Sequence, residues 1–170
     1  TGAFAQTATW TGAVDSDWDN AGNWVFAGGG AFANAATLYT VPAVATQPST
    51  VSAAFTITGA SLDVTGGVSV MPPDLDMDLT FNGVSTNGIH VVAGATLTIQ
   101  SGSVVINSSQ GHGIFCEGTI NTGGSGVLGG TNATISISAT DLSGIAVGAA
   151  GTFNNGGDFG TCTINIDGVG

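Results

Sequence analysis

The sequence lacks lysine and arginine altogether. Its 11 Asp and Glu residues and two His give a formal net charge of −11 and a pI of about 4.1. Without cationic side chains the chain has no surface that neutralises phosphates, so we expect no nucleic-acid partner. It also has no residue for a phosphate-binding lysine, a Schiff base or an arginine finger. The composition therefore excludes several large classes of enzyme as well.

Charge of either sign is scarce, and long hydrophobic runs are missing. Charged residues make up 6% of the chain, against about 25% in an average soluble domain. Hydrophobic residues reach 42% and the mean hydropathy is +0.40, which is not the composition of a disordered chain. No apolar run approaches the roughly 18 residues of a membrane span. We expect one domain with a hydrophobic core and no membrane-spanning segment.

Convincing helical periodicity is absent too. Short runs instead alternate apolar side chains with Thr, Ser, Asn or Asp, which is the period-2 pattern of half-buried β-strands. These runs lie at 55–58, Ser61–Val64, 95–99, 103–106, 134–138 and 163–166. The sequence therefore predicts an all-β protein.

Three Gly-Ile pairs mark an internal repeat. They begin at Gly88, Gly113 and Gly144, with spacings of 25 and 31 residues. A unit of this length with two or three short strands is typical of one coil of a parallel β-solenoid, whose strands pair with those of the next coil. Gly suits the corners of such a coil because it tolerates a positive φ. An antiparallel β-sandwich or jelly roll also has many short strands and stays open as the alternative.

The first 50 residues differ in composition from the rest and contain all three Trp and the single Tyr. We divide the chain into an N-terminal Trp-rich capping or assembly segment (1–50) and a solenoid domain (51–170). The end of a solenoid exposes apolar side chains and unpaired backbone, so it needs a cover. We expect Trp10, Trp18 and Trp24 either to form that cap or to pack on a neighbouring subunit.

The Trp-rich segment reads TWTG at 9–12, DW at 17–18 and NW at 23–24. This pattern resembles the N-terminal region of secreted bacterial surface proteins of the autotransporter-passenger and adhesin type, and the Gly-Ile units are similar to their coils. The resemblance implies a right-handed β-helix, export and a role in adhesion or surface structure. The chain begins at Thr1 without a hydrophobic signal core, so we expect a mature or trimmed secreted chain at the bacterial cell surface.

These features favour a secreted structural subunit that assembles with copies of itself into an extracellular filament or surface layer. Open solenoid ends, or donation of the N-terminal strand at 1–11, would join the copies. The alternative is an adhesin or carbohydrate-binding module that binds glycans by stacking Trp10, Trp18 and Trp24 on sugar rings.

We predict that the protein is not an enzyme and has no catalytic residue. The segment Gly111-His112-Gly113 resembles one found in polygalacturonases, which are right-handed β-helices. Those enzymes also need a cluster of Asp residues and an Arg or Lys that binds the substrate carboxylate. This chain contains no Arg and no Lys.

Two acidic runs are candidate sites for Ca²⁺, the one cofactor the sequence suggests. Carboxylates at alternate positions of a loop or strand supply the oxygen ligands that Ca²⁺ prefers. Neighbouring carboxylates in a chain without cations must be solvated, partly protonated or joined by a metal ion. The first run contains Asp15, Asp17 and Asp19, and the second contains Asp74, Asp76 and Asp78.

Four residues are candidates for covalent modification. Cys116 and Cys162 permit one disulfide in an oxidising compartment, and two buried free thiols are the alternative. Asn107 and Asn132 each begin an Asn-x-Ser/Thr sequon and are candidate glycosylation sites.

Overall fold

The computed structural model describes residues 7–18, 20–27, 38–46, 61–66, 68–71, 78–81, 87–99, 102–109, 111–122, 133–140, 142–155 and 162–167. These ranges form 15 β-strands and one short 3₁₀ turn at Ala21–Asn23. The prediction of an all-β protein is confirmed. Within the same ranges, no helix is long and apolar enough to cross a membrane.

Five of the six predicted strand runs fall on strands of the structure, and the run at 55–58 lies outside the described residues. In chain order the strands are β1 (Thr7–Trp10), β2 (Trp24–Ala27), β3 (Leu38–Val41), β4 (Ser61–Val64), β5 (Val68–Met71), β6 (Asp78–Phe81), β7 (Ile89–Val91), β8 (Thr96–Ile99), β9 (Gly102–Ser109), β10 (Ile114–Cys116), β11 (Thr119–Thr122), β12 (Ala133–Thr140), β13 (Ile145–Val147), β14 (Thr152–Asn155) and β15 (Cys162–Asp167).

The strands belong to three sheets that the chain visits in rotation. The first sheet has the order β13-β10-β7-β4-β3-β1-β2, the second β14-β11-β8-β5 and the third β15-β12-β9-β6. From β4 onward, every three successive strands place one strand in each sheet, and we call such a set a tier. Tier 1 is β4–β6, tier 2 is β7–β9, tier 3 is β10–β12 and tier 4 is β13–β15.

Neighbouring tiers pair in parallel in all three sheets. Among the described strands, only β1 and β2 pair antiparallel. Parallel neighbours need a long crossover connection instead of a hairpin. Here the chain makes each crossover by passing through the other two sheets.

The Gly-Ile repeats set the register of the first sheet. Ile89, Ile114 and Ile145 lie opposite one another in β7, β10 and β13. The same register aligns apolar side chains into rows that run from tier to tier and form the core. Fully buried members of these rows are Tyr39, Leu62, Ile89 and Ile114 in one row, Val41, Val64, Val91 and Cys116 in a second, and Leu97 and Ile120 in a third.

A glycine precedes β10 because Ile137 of β12 comes very close to it. A Cβ on Gly113 would lie 2.5 Å from Cγ2 of Ile137, closer than a real Cβ atom approaches a neighbour. The same contact recurs in the adjacent tiers, between Gly88 and Ile106 (2.5 Å) and between Gly144 and Ile166 (2.7 Å). The positive-φ glycines of the described residues are Gly12 and Gly94. The glycines of the repeat are therefore needed for close packing and not for a positive φ.

The N-terminal strands continue the first sheet. β3 pairs in parallel with β4, β1 pairs in parallel with β3, and β2 lies antiparallel to β1. One sheet therefore joins strands of the predicted capping segment to strands of the predicted solenoid domain.

The three tryptophans form one buried aromatic cluster beside these strands. Trp10 and Trp18 are fully buried, and Trp24 is 5% exposed. The Trp24 ring centroid lies 5.1 Å from that of Trp10, 5.6 Å from that of Trp18 and 5.4 Å from that of Tyr39. These are distances at which aromatic pairs stabilise a fold. The indole nitrogen of Trp24 donates to the Trp18 carbonyl oxygen (2.9 Å), and that of Trp10 donates to the Thr46 carbonyl oxygen (2.9 Å).

Candidate functional site

Tier 4 exposes apolar side chains that the tiers before it bury. In the first sheet Val91 and Cys116 are fully buried, whereas Val147 in the same row is 48% exposed. In the third sheet the exposed fraction rises from 2% at Ile137 to 49% at Ile166. The inner rows of the core therefore continue onto an open face.

The backbone of tier 4 is open on the same side. β10, β11 and β12 each have a strand on both sides, while β13, β14 and β15 each pair with one strand among the described residues. An edge of this kind presents N–H and C=O groups to which another strand can add. We call this exposed side of β13, β14 and β15 the tier 4 face.

The tier 4 face carries very little charge. Asp167, the last residue of β15, is the single ionisable side chain in residues 142–155 and 163–167. The whole chain has a net charge of −11, so two copies repel each other over most of their surfaces. Electrostatic repulsion therefore opposes an apolar contact only weakly at this face.

Two polar rows also end at tier 4, both on β14. On the outer side of the second sheet, Asn154 Nδ2 donates to Asn121 Oδ1 (2.8 Å). On the inner side, Ile99, Thr122 and Asn155 occupy one row. The Thr122 hydroxyl, on a residue that is 2% exposed, donates to Asn155 Oδ1 (2.9 Å). This inner row of the second sheet thus changes from apolar to polar as it reaches tier 4, while the other inner row stays apolar from Leu97 through Ile120 to Phe153.

A cluster of ionisable and aromatic side chains lies on the outer face of the first sheet. Asp63, His90 and Phe115 are opposite one another in β4, β7 and β10. His90 Nε2 lies 3.0 Å from Glu117 Oε2, and His90 Nδ1 lies 4.0 Å from Asp63 Oδ1. The Phe115 ring stacks on His90 and on His112, with centroid distances of 5.3 and 5.4 Å.

The geometry of this cluster does not suit metal binding. The two carboxylates lie at opposite nitrogens of His90, so the three groups do not converge on one point. Burial raises the pKa of Asp63, and the nearby His90 acts in the opposite direction. The described residues contain no group of three or more His, Cys, Asp or Glu arranged to hold a metal ion.

His112 lies at a corner between tiers. Its backbone N–H donates to Asn87 Oδ1 (2.9 Å), and its Nδ1 accepts a hydrogen bond from the N–H of Ser143 (3.2 Å). Asn87, His112 and Ser143 each lie two residues before the first strand of a tier. His112 therefore connects successive corners of the stack.

The first predicted calcium run forms a hydrogen-bonded loop. Asp15 Oδ1 accepts the N–H of Asp17 (2.9 Å) and a hydrogen bond from Asn23 Nδ2, and Asp15 Oδ2 accepts one from Asn20 Nδ2 (2.8 Å). The hydrogen bond from Asp17, followed by those from Asn23 and Asn20, lowers the pKa of Asp15. Asp19 lies outside the described residues. In this loop the Asp15 carboxylate orders the turn that leads into the 3₁₀ turn and β2.

The remaining calcium ligands and the glycosylation sites stay predictions. The backbone of Asp78 and Asn107 is described in β6 and β9, but their side chains are not. Asp74, Asp76 and Asn132 lie outside the described residues altogether.

The structure does not contain the predicted disulfide between Cys116 and Cys162, because Cys116 is a buried free thiol. Cys116 belongs to the inner row of the first sheet, whereas Cys162 begins β15 of the third sheet. Cys116 Sγ lies 3.4 Å from the carbonyl oxygens of Gly118 and Thr152. Burial raises the pKa of the thiol, so Cys116 fills space in the core as a small apolar side chain.

Neither the inner polar row nor the outer-face cluster was predicted from the sequence. The cluster left a signal, since Asp63, His90 and Glu117 follow one another at intervals of 27 residues. The spacing of Asp63 and His90 matches their register in β4 and β7, and Glu117 follows Phe115, the partner of His90, by two residues. Thr122 and Asn155 left no such signal, because Thr and Asn occur throughout the chain.

No protein-family model matches the chain, and neither the curated proteins nor the solved structures contain a significant match. The resemblance of the TWTG, DW and NW segment to secreted bacterial surface proteins therefore gains no support from these comparisons.

Proposed function

We propose that the protein is a secreted structural subunit and that its three sheets close into a right-handed parallel β-helix. The tier 4 face of this helix binds a second copy of the chain. Successive copies assemble in this way into an extracellular filament or surface layer.

Closure of the helix is supported by the contact between Gly113 and Ile137. Gly113 precedes the first strand of tier 3, and Ile137 lies in the third strand of the same tier. The contact joins the end of a tier to its start, and it recurs in tiers 2 and 4. A right-handed path is the rule for parallel strands joined by crossovers.

Assembly is supported above all by the exposure of Val147 and Ile166. Both side chains belong to rows whose members in tier 3 are buried. Covering such apolar area is favourable by about 25 cal/mol per Å². An added strand would also pair with the open backbone of β13, β14 and β15.

A second copy is the partner that fits the tier 4 face best. Tier 4 itself binds to tier 3 through parallel pairing and aligned Ile, Val and Thr side chains. Pairing of the same kind would let strands of a second copy add to β13, β14 and β15. A contact that does not close on itself adds copy after copy and produces a filament.

The proposal is tested by placing a charge in the apolar part of the tier 4 face. Val147→Asp introduces a carboxylate that assembly would bury, so we expect the association constant to fall by about tenfold or more. Val14→Asp is the matched control, because Val14 is 63% exposed in a loop far from tier 4 in the chain. Static light scattering over a concentration series measures association, and circular dichroism confirms that each variant is folded.

Wild-type protein that stays monomeric at high concentration, with and without Ca²⁺, would rule out self-assembly. Association of Val147→Asp as tight as that of the wild type would rule out the tier 4 face as the contact. The alternative, glycan binding by the tryptophans, has no comparable support, because Trp10 and Trp18 are fully buried.

A further inference from the structure

We infer that the link between tier 3 and tier 4 at His112 depends on pH. The neutral imidazole accepts a hydrogen bond from the backbone of Ser143, and protonation of the ring breaks this bond and frees the corner that leads into tier 4. The inference is independent of the proposed function, because it concerns contacts within one copy of the chain.

The corner residues of tiers 2, 3 and 4 are joined by a repeated pair of hydrogen bonds. The N–H of His112 donates to Asn87 Oδ1 (2.9 Å), and the N–H of Ser143 donates to His112 Nδ1 (3.2 Å). In the opposite direction, the N–H of Gly88 donates to the His112 carbonyl oxygen (3.0 Å). The N–H of Gly113 donates to that of Ser143 (3.0 Å). The side chain of one corner therefore holds the backbone of the next.

The two joints differ in the chemistry of the side-chain acceptor. The amide oxygen of Asn87 does not titrate, so it accepts a hydrogen bond at neutral and at mildly acidic pH alike. An imidazole nitrogen accepts only while it carries no proton, and the protonated ring has a donor at both nitrogens. Histidine side chains change charge between about pH 5 and pH 8. The joint at Asn87 is therefore constant over this range, whereas the joint at His112 is not.

The contact with Ser143 also fixes the form of the neutral ring. Because Nδ1 of His112 accepts, the single proton of the neutral imidazole lies on Nε2. Rotation of the charged ring does not restore the bond, because the imidazolium has no acceptor atom in any orientation. The N–H of Ser143 then has no partner on this side chain.

His112 is open to protonation and keeps its place when it becomes charged. The residue is half-buried, and its ring stacks on Phe115 with a centroid distance of 5.4 Å and an interplanar angle of 25°. The face of a phenyl ring attracts a cation at this distance. Protonation therefore removes the bond to Ser143 without expelling the ring from the outer face of the sheet.

The other titratable groups of the region belong to the cluster around His90. That ring also stacks on Phe115, at a centroid distance of 5.3 Å, and its ion pairs are with Asp63 and Glu117. His112 takes part in neither ion pair. Among the described residues, no carboxylate therefore replaces the contact that the charged His112 ring loses.

The test follows the His112 ring and the Ser143 amide in the same isotope-labelled protein. Long-range proton–nitrogen NMR spectra give the tautomer of the ring and the pH at which it titrates. Amide hydrogen exchange gives the protection of Ser143 relative to an unstructured peptide at the same pH. We expect the Nε2–H tautomer at about pH 8. We also expect Ser143 to lose protection by about three- to tenfold as the ring becomes charged, while the amide of His112 keeps its protection.

Two substitutions of His112 separate the acceptor from its titration. His112→Asn places in tier 3 the acceptor that tier 2 already has at Asn87, so we expect Ser143 to stay protected over the whole pH series. His112→Ala has no side-chain acceptor, so we expect Ser143 to be poorly protected at every pH.

Two control variants address the remaining titratable groups. His90→Asn removes the other histidine of the chain. Asp141→Asn removes an acidic residue that lies outside the described residues, two positions before Ser143. We expect the pH dependence of the Ser143 amide to persist in both variants.

Four outcomes would overturn the inference. They are an Nδ1–H tautomer at about pH 8, equal protection of Ser143 on both sides of the His112 titration, a pH dependence that survives in His112→Asn, and a pH dependence that disappears in either control variant. Because none of these measurements reports association, each of these outcomes leaves the proposed function intact.

Discussion

Ile137 Cγ2 occupies the space into which a side chain at Gly113 would project, 2.5 Å from the position of a Cβ. The two residues lie 24 positions apart, at the end and at the start of the same tier. Their contact links the third sheet to the start of the first. It accounts for the glycine in each Gly-Ile pair.

Substitution of Gly113 therefore tests how closely the tier is packed. We expect Gly113→Ala to lower the free energy of unfolding by about 1–3 kcal/mol, because an added methyl group forces Ile137 or the backbone to shift. Gly148→Ala is the control, since the atom nearest to its Cβ is Cγ of the flexible Glu117 side chain at 3.3 Å. Urea unfolding measures both variants. Equal stabilities would contradict the close packing around Gly113.

The tryptophan cluster predicts different costs for two similar substitutions. Trp24→Phe removes the buried hydrogen bond to the Trp18 carbonyl oxygen and leaves that oxygen without its donor. Trp18→Phe removes a buried indole N–H that has no hydrogen-bond partner among the described residues. We expect Trp24→Phe to lower the free energy of unfolding by at least about 1 kcal/mol more than Trp18→Phe does. Urea unfolding followed by fluorescence of the remaining tryptophans measures the difference, and the opposite order would contradict this account of the cluster.

The raised pKa of Asp63 predicts that the contribution of this residue to stability decreases as the pH rises. Burial raises its pKa above the ordinary value of 3.8, so the folded state favours the neutral carboxyl group. The resulting stabilisation is complete below pH 3.8 and is lost as the pH rises through the raised pKa. We expect Asp63→Asn to melt at a higher temperature than the wild type near pH 7, and at the same temperature below pH 3.8. A lower melting temperature of the variant near pH 7 would mean that attraction to His90 outweighs burial.

Asp15 is the control for Asp63, because its pKa is shifted in the opposite direction. Hydrogen bonds lower its pKa below 3.8, so its contribution is present above pH 3.8 and is lost as the pH falls through the lowered pKa. We expect Asp15→Ala to be less stable than the wild type near pH 7, and the difference to shrink in strong acid. Thermal melts of both Asp variants over the same pH series distinguish these trends from a general effect of net charge.

The strands and their register were largely predictable from the sequence, and the reason lies in the repeat. Period-2 alternation indicated Ser61–Val64 and four later strands, and the Gly-Ile pairs indicated the alignment of Ile89, Ile114 and Ile145 in the first sheet. In stacked repeats, residues at equivalent positions of successive repeats lie beside one another. A short pattern therefore carries information about long-range pairing.

The features that depend on contacts between distant parts of the chain were not predictable. Two cysteines suggested a disulfide, but the row that Cys116 occupies places its thiol in the core. Thr122 and Asn155 are 33 residues apart, and neither residue type is unusual in this chain. The exposure of Val147 and Ile166 at the end of their rows was not indicated by the sequence either.

Hydrogen–deuterium exchange of assembled protein against dilute monomer tests the tier 4 contact most directly. If strands of a second copy add to this face, the outward-pointing backbone amides of β13, β14 and β15 gain protection on assembly. The outer face of the first sheet around Phe115 keeps its exchange rate. Unchanged exchange in those three strands, with protection gained elsewhere, would contradict assembly through the tier 4 face.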